Sequence, residues 1–198
     1  LSCMSELIFD LPTGQLQLKL HQAHLPFEDL LGIGARHNPK RAFLFVSKVL
    51  GKHIPVRPQQ MRHCHRLLAQ QLPAFGQAAL FIGMAETATG LGQGVFEAYL
   101  QQQPQTKVSY THSSRIRAEG AQSEAFEESH SHATRVWLHL PQTEAERAHW
   151  QQAKSLVLID DELSTGDTFA NLLRQCLHLA PNIEQVFWVS IADFIGEK

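Results

Sequence analysis

The chain has 198 residues, with 17 Lys and Arg against 19 Asp and Glu, so its formal net charge of -2 gives no electrostatic case for binding nucleic acid or anionic membranes. Hydrophobic residues make up 43% and charged residues 18%, which predicts one globular domain with a core of its own. No apolar run reaches the roughly 18 residues of a membrane helix, and the three cysteines lack metal or disulfide spacing, so we expect a cytoplasmic protein.

The N-terminal quarter mixes several patterns. Residues 1–6 lack the charged and apolar regions of a signal peptide, and Met4 is the expected native start. Strict alternation over residues 14–21 predicts a half-buried strand, and a basic turn follows at 36–41. The apolar run 42–50 fits a strand or a buried helix, and residues 51–58 form an irregular connection.

A helical pattern covers residues 59–71. Three leucines of this helix are expected to face a core: Leu67, Leu68 and Leu72. The neighbouring His63, Cys64 and His65 would point in different directions on a helix, so we interpret them as an incidental surface cluster.

From residue 78 onwards, strand and helix patterns alternate, which predicts an α/β fold. Strands are predicted at 78–83, 107–111, 136–140, 155–159 and 185–192. Helices are predicted at 95–102, at 143–152 and from Thr168 onwards. The polar stretch 112–131 shows neither periodicity, and so long a loop inside a domain is expected to be functional or mobile.

The oddest composition lies at residues 126–134, where two carboxylates, two histidines and three hydroxyls occur together. A catalytic or substrate-contacting flap is the favoured interpretation, with Glu128, His130 and His132 as candidate acid–base groups. A zinc site on the two histidines, with Glu127 or Glu128 as a third ligand and a hydrolase as the function, is one alternative. A solvated loop is the other.

The strand 155–159 and the loop after it are the most informative stretch. Asp160 and Asp161 follow the strand, residues 164–168 form a turn of small and hydroxyl-bearing residues, and a helix starts at once. Ligands of open α/β sheets bind beyond the carboxyl ends of strands, and loop amides at a helix N-terminus suit a phosphate. Carboxylates only accept hydrogen bonds, which suits a sugar diol. A turn that merely starts a helix would not explain two adjacent like charges.

This succession of apolar strand, two acidic residues, two variable positions, Ser/Thr-Thr-Gly, one variable position and Thr resembles the PRPP-binding motif of type I phosphoribosyltransferases. It differs from a Walker loop, which requires a Lys that is absent here. The resemblance implies a core with a mostly parallel five-stranded sheet in residues 58–198. Residues 1–57 would form an N-terminal segment and hood over the base, within a single compact domain overall.

The resemblance also implies roles for individual residues. Asp160 and Asp161 would grip the ribose diol of PRPP. The 5-phosphate would bind to the next loop: Ser164, Thr165, Gly166, Asp167 and Thr168. Asp167 stands where many relatives have Gly, so its charge is expected to point away from the phosphate. Mg²⁺ is the expected cofactor and would arrive with PRPP, with no protein ligand firmly assigned.

Pyrophosphate would bind to the loop after the first core strand: Ala85, Glu86, Thr87, Ala88 and Thr89. Small residues permit close approach of backbone amides to an anion, although an ordinary strand-to-helix turn is the alternative. Glu86 departs from the usual loops, because a carboxylate repels pyrophosphate, and it could hold Mg²⁺ or a water. Arg115 is assigned to the departing pyrophosphate; Arg117 could share this role or be a solvated surface arginine.

A narrower resemblance covers residues 38–56, 85–92 and 126–133, which are similar to the phosphoribosyltransferase domain of tellurite-resistance and stress-response operons. It implies that Lys52 and His53 face the base from the hood. Members often continue into a TRSP domain, which would be a partner absent from these 198 residues.

The predicted function is exchange of a nucleobase-like group and pyrophosphate at C1 of ribose 5-phosphate. The alternative is a non-catalytic regulator that senses PRPP or a nucleotide with the same fold. The sequence leaves open the base, the direction of the reaction and the oligomeric state, with a homodimer among the alternatives.

Overall fold

The computed structural model describes residues 5–36, 42–120, 122–127 and 135–195. The chain divides into two compact units, Leu1–Met61 and Arg62–Lys198. The division falls within helix α2 (Pro58–Gln70), whereas the predicted boundary between residues 57 and 58 lies at the start of that helix. Within the described part of the chain, no helix combines the length and the apolar character needed to cross a membrane.

The first unit contains two antiparallel hairpins and a short helix. Its elements are β1 (Ser5–Leu11), β2 (Gly14–Leu20), α1 (Phe27–Leu30), β3 (Leu31–Ala35) and β4 (Phe43–Ser47). The alternation predicted at 14–21 is confirmed by β2, and the ambiguous run 42–50 contains a strand. Strand β1 was not predicted. The basic turn expected at 36–41 lies almost entirely outside the described residues.

Helix α2 corrects the interpretation of the histidine-rich cluster. Cys64 and His65 are buried, with Ala69 beside them on one helix face, and only His63 of the cluster is exposed. The three leucines that were expected to face the core are half-buried. The surface interpretation was wrong because residues four apart, such as His65 and Ala69, share one face of a helix.

The second unit is an α/β structure around a six-stranded sheet. Its elements are β5 (Ala79–Gly83), α3 (Thr89–Gln102), β6 (Val108–Ser114), β7 (Ser123–Glu127), β8 (Arg135–His139), α4 (Glu144–Gln152), β9 (Ser155–Leu163), α5 (Asp167–Leu179) and β10 (Gln185–Asp193). The strand order is β10-β9-β5-β6-β8-β7. The four strands from β10 to β6 are mutually parallel, and β8 is antiparallel to both of its neighbours.

The sheet confirms the predicted α/β class but has six strands where five were predicted. The additional strand is β7, which lies inside the stretch 112–131 that was expected to be a loop, and β6 extends into that stretch as far as Ser114. The polar composition of β7 gave no strand pattern in the sequence. The strand forms because its backbone pairs with β8. Among residues 123–126 of β7, whose burial is described, Phe126 alone is buried, opposite Val136 of β8.

The core lies around the two central strands. All five residues of β5 are buried, as are Ser155–Ile159 of β9, which fits strands that are covered on both faces. Tyr99 of α3 packs against Phe81 with ring centroids 5.2 Å apart. Its hydroxyl accepts a hydrogen bond from the Phe75 amide at 3.0 Å, so its buried polar group is satisfied.

His65 is the buried ionisable group on which the pH dependence of stability should turn. Its ring lies against Gly94 of α3, where an added Cβ would come within 2.0 Å of His65 Nδ1. Its Nε2 is buried and has no hydrogen-bond partner among the described residues. Burial lowers the pKa of His65, and the negative charge of Glu97 opposes that shift only in part.

We therefore predict that the protein loses stability as the pH falls below about 6.5, the ordinary pKa of His in an unfolded chain. In that range the unfolded state binds the proton more tightly, so the free energy of unfolding decreases by at most about 1.4 kcal/mol per pH unit from this group. Urea unfolding at pH 7.5 and 5.5 measures the effect. His65→Gln should reduce the pH dependence, and the exposed His63→Gln should not; equal dependence in both variants would contradict the assignment.

Candidate active site

The register of the parallel strands sets the geometry of the site. Gly83, the last residue of β5, pairs with Ile159 of β9 on one side and with His112 of β6 on the other. Carboxyl ends of parallel strands meet at one edge of a sheet. The loop 84–88 therefore leaves β5 between the strand that carries Asp160 and the end of β6.

The acidic pair lies within β9, which continues to Leu163 and does not end before Asp160 as predicted. Both carboxylates are half-buried, and Asp160 is in register with Ser190 of β10. The Asp161 amide donates to Asp160 Oδ1 at 2.8 Å. Successive side chains of a strand alternate between faces, so the two carboxylates project to opposite sides of the sheet.

The loop after β9 ends at Gly166, the N-cap of α5, whose φ of 82° suits glycine. The Ala170 amide donates to the Gly166 carbonyl at 2.9 Å and closes the first turn of the helix. The helix begins at Asp167, one residue before the predicted start. The hydroxyls of the loop therefore lie beside the N-terminus of a 13-residue helix, where the backbone amides of the first turn have no partner within the helix.

Asp167 lies against a neighbour within this loop. Thr165 Oγ1 donates to Asp167 Oδ2 at 2.8 Å and accepts from the Asp167 amide at 3.3 Å. The carboxylate expected to point away from a phosphate is therefore bonded to Thr165, a residue predicted to bind that phosphate.

The loop 84–88 is anchored to both neighbouring strands. The Met84 amide donates to the Ile159 carbonyl at 2.9 Å, and the Ala85 amide donates to Ser113 Oγ at 2.8 Å. Ser113 is fully buried, the Ala85–Glu86 peptide is cis, and the side chain of Glu86 is exposed. The position of the loop relative to β9 and β6 is therefore set by two hydrogen bonds.

Tyr110 supports the start of α3 from beneath. Its hydroxyl donates to the Thr89 carbonyl at 2.8 Å, and burial raises its pKa, which keeps the donor protonated. An added Cβ at Gly83 would lie 2.6 Å from the Tyr110 hydroxyl, and one at Gly92 would lie 2.9 Å from Gly83 Cα. The backbones of β5 and α3 approach this closely because both positions lack a side chain. Helix α3 accordingly begins at Thr89, earlier than the predicted residue 95.

The two arginines after β6 differ in their surroundings. Arg115 is half-buried and directly follows the strand end at Ser114. Arg117 is exposed, and its guanidinium lies 5.4 Å from the centroid of the Trp137 ring, a cation–π contact. Arg115 thus lies two residues after Ser113, which binds the loop 84–88, whereas Arg117 contacts Trp137 of β8.

The roles predicted for five further residues stay predictions. Glu128, His130 and His132 lie outside the described residues. Lys52 and His53 are exposed residues of the first unit. In residues 5–36, 42–120, 122–127 and 135–195, no three His, Cys, Asp or Glu side chains form a group that could hold a metal.

Sequence reasoning missed Ser113 and Tyr110. Both form hydrogen bonds with backbone groups that are more than 20 residues away in the sequence, so no local motif marks them. Parallel pairing of the predicted strands was the available signal, since it places the end of β6 beside the loop that follows β5.

An α/β sheet with acidic residues and two strand-to-helix loops at the carboxyl edge of its parallel strands is typical of proteins that bind ligands at that edge. A family model described as "Phosphoribosyl transferase" matches residues 30–198. The chain belongs to this phosphoribosyl transferase family, which makes it a phosphoribosyltransferase by class. No curated protein matches it.

Solved phosphoribosyltransferases share the fold at low sequence identity. The APRTase from Giardia lamblia, complexed with 9-deazaadenine, is 12% identical with a TM-score of 0.54, over 84% of this chain and 94% of that chain. The adenine phosphoribosyltransferase from Rhodothermus marinus is 11% identical with a TM-score of 0.52, over 84% and 95%. That from Saccharomyces cerevisiae, complexed with adenine and an imino-altritol bisphosphate, is 9% identical with a TM-score of 0.52, over 84% and 85%. The predicted phosphoribosyltransferase-like core is confirmed.

Gly166→Ala should destabilise the protein by about 1–2 kcal/mol, the cost of a left-handed backbone for an L-residue. The new Cβ would also lie 3.1 Å from Trp188 Cζ3 and 3.2 Å from Ile195 Cδ1. Gly90→Ala is the matched control, because Gly90 is helical and nothing lies within 4 Å of its added Cβ. Chemical unfolding should show the control unchanged or slightly more stable. Equal stability of the two variants would contradict the strained position of residue 166.

Proposed function

We propose that the protein uses PRPP and Mg²⁺ to exchange a nucleobase-like group and pyrophosphate at C1 of ribose 5-phosphate. One observation carries the proposal: β9, which carries the acidic pair, and β5 are adjacent parallel strands, so the β9–α5 loop and the anchored loop 84–88 leave the sheet at the same edge. A ligand with a phosphate at one end and a pyrophosphate at the other could contact both loops at once.

The 5-phosphate is assigned to the loop Ser164–Thr168. It offers the hydroxyls of Ser164, Thr165 and Thr168, and the helix dipole of α5 favours an anion at its N-terminus. No Lys is needed, since amides and hydroxyls donate the hydrogen bonds.

The ribose diol is assigned to the acidic pair in β9. Because the two carboxylates project to opposite faces of the sheet, they do not form a single clamp. Asp160 already accepts one hydrogen bond from the Asp161 amide. The carboxylate on the ligand side accepts from the diol, and single substitutions will identify which of the two it is.

Pyrophosphate is assigned to the loop 84–88, including Ala85, Glu86, Thr87 and Ala88, to Thr89 at the start of α3, and to Arg115. Two anchors hold the loop in place before the ligand arrives, so little reorganisation accompanies the departure of pyrophosphate. Carboxylate oxygens at this edge are hard donors of the kind that Mg²⁺ prefers, but they form no three-ligand group among the described residues. They fit a cation that PRPP brings with it and that would neutralise charge on the leaving pyrophosphate.

The remaining assignments extend the proposal. Glu128, His130 and His132 would supply acid–base chemistry from the flap, and Lys52 and His53 would contact the base. The similarity of residues 38–56, 85–92 and 126–133 to the domain of tellurite-resistance operons supports a role in such an operon. Adenine phosphoribosyltransferases among the similar structures make a purine the first base to test.

Asp160→Asn combined with Asp161→Asn should weaken ribose 5-phosphate and PRPP binding at least about tenfold, since a hydrogen bond to a charged group is worth about 1.5–3 kcal/mol. Calorimetric titration measures the loss, and circular dichroism confirms the fold. Of the single variants, one should account for most of the effect. Wild-type affinity in a folded double variant would refute the assignment. PRPP binding without pyrophosphate release, whichever base is added, would indicate a regulator.

Ser113→Ala should weaken binding of the pyrophosphate end of PRPP and leave binding of its 5-phosphate end unchanged. It removes the acceptor of the Ala85 amide and loosens the loop 84–88, so PRPP binding should weaken by about three- to tenfold, while ribose 5-phosphate, which lacks pyrophosphate, should bind unchanged. Ser109→Ala, a half-buried serine of the same strand, is the control. A parallel loss for both ligands would show that Ser113 acts on the whole fold and not on this loop.

A further inference from the structure

Asp167 is the feature of the phosphate loop that the proposed function does not explain. It is the acidic residue of the first turn of α5, and its carboxylate accepts from Thr165 Oγ1 at 2.8 Å. Its own amide donates back to the same oxygen at 3.3 Å. The Thr165 hydroxyl and the Asp167 amide are thus bonded to each other at the N-terminus of α5, where the phosphate is expected.

A carboxylate at this helix N-terminus supplies the negative charge that a bound phosphate would otherwise supply. Negative charge is stabilising in the first turn of a helix, so Asp167 favours the loop without phosphate. A phosphate dianion meets both the like charge of Asp167 and a Thr165 hydroxyl that already has an acceptor. Residues 164–168 contain no Lys or Arg to offset that charge. Arg174, further along α5, donates to Asn171 Oδ1 at 2.6 Å.

We propose that Asp167 is an internal competitor for the 5-phosphate, which holds the Thr165 hydroxyl in the free protein and sets how weakly the loop binds phosphate. This inference rests on the proposed function and adds a determinant of affinity to it. Binding requires Thr165 to exchange the Asp167 carboxylate for a phosphate oxygen. Substituting Asp167 should therefore improve binding and destabilise the free protein, whereas a merely structural residue would lose both.

The test titrates ribose 5-phosphate, PRPP and, separately, ribose into the wild type, Asp167→Ala and Asp167→Asn, at low and high salt. Ribose 5-phosphate should bind about five- to tenfold tighter to Asp167→Ala, with a smaller gain in Asp167→Asn, whose amide oxygen can still accept from Thr165. Binding of ribose should not change. The gain should shrink at high salt, because it is partly a charge effect, and the melting temperature of each free variant should fall.

Glu144→Gln is the matched control, since it removes one exposed carboxylate from the first turn of another helix, α4. It should leave ribose 5-phosphate affinity unchanged. In a double-mutant cycle with Thr165→Val, the gain from Asp167→Ala should be smaller, because no hydroxyl remains to be released and only the effect of removing the charge is left.

Two results would overturn the proposal. If the wild type binds ribose 5-phosphate and Asp167→Ala binds it no more tightly, Asp167 does not compete, and the assigned function stands. If neither the wild type nor any variant binds ribose 5-phosphate or PRPP, the assigned function fails and this inference fails with it.

Discussion

The pairing of β5 with β9 and β6 is the constraint on which the site depends. Because Gly83 lies opposite both Ile159 and His112, the loop after β5 emerges between the acidic end of β9 and the end of β6. Hydrogen bonds from Met84 and Ala85 then fix the loop to those same two strands. A shift of one residue in either pairing would turn Ser113 or Asp160 to the opposite face of the sheet.

Close packing between β5 and α3 also fixes the position of the loop that joins them. Gly83 and Gly92 let β5 and α3 approach, and Tyr110 fills the space beside them while donating to the Thr89 carbonyl. The proposed site is therefore built on regular elements whose core is already filled, and the groups proposed to face the ligand are mostly backbone amides and short side chains. Such groups lose little conformational freedom on binding, which favours preorganisation of the loops.

Sequence reasoning reached the features that are local. The acidic pair, the loop 164–168 and the helix after it lie in one short segment, so their order alone predicts a phosphate site. Contacts between distant segments were not predictable in this way: Ser113 and Ala85 are 28 residues apart, and no pattern links them. Strand β7 escaped detection because its composition is polar, and the burial of His65 depends on Gly94 of a different helix.

Hydrogen exchange of the wild-type protein with and without PRPP and Mg²⁺ shows whether one ligand contacts both loops. PRPP should slow exchange in two separated segments together, residues 84–89 and 160–170, because one ligand bridges two loops at the same sheet edge. Exchange in α4 should not change. Protection of only one of the two segments, or of neither while PRPP binds elsewhere, would contradict the proposed site.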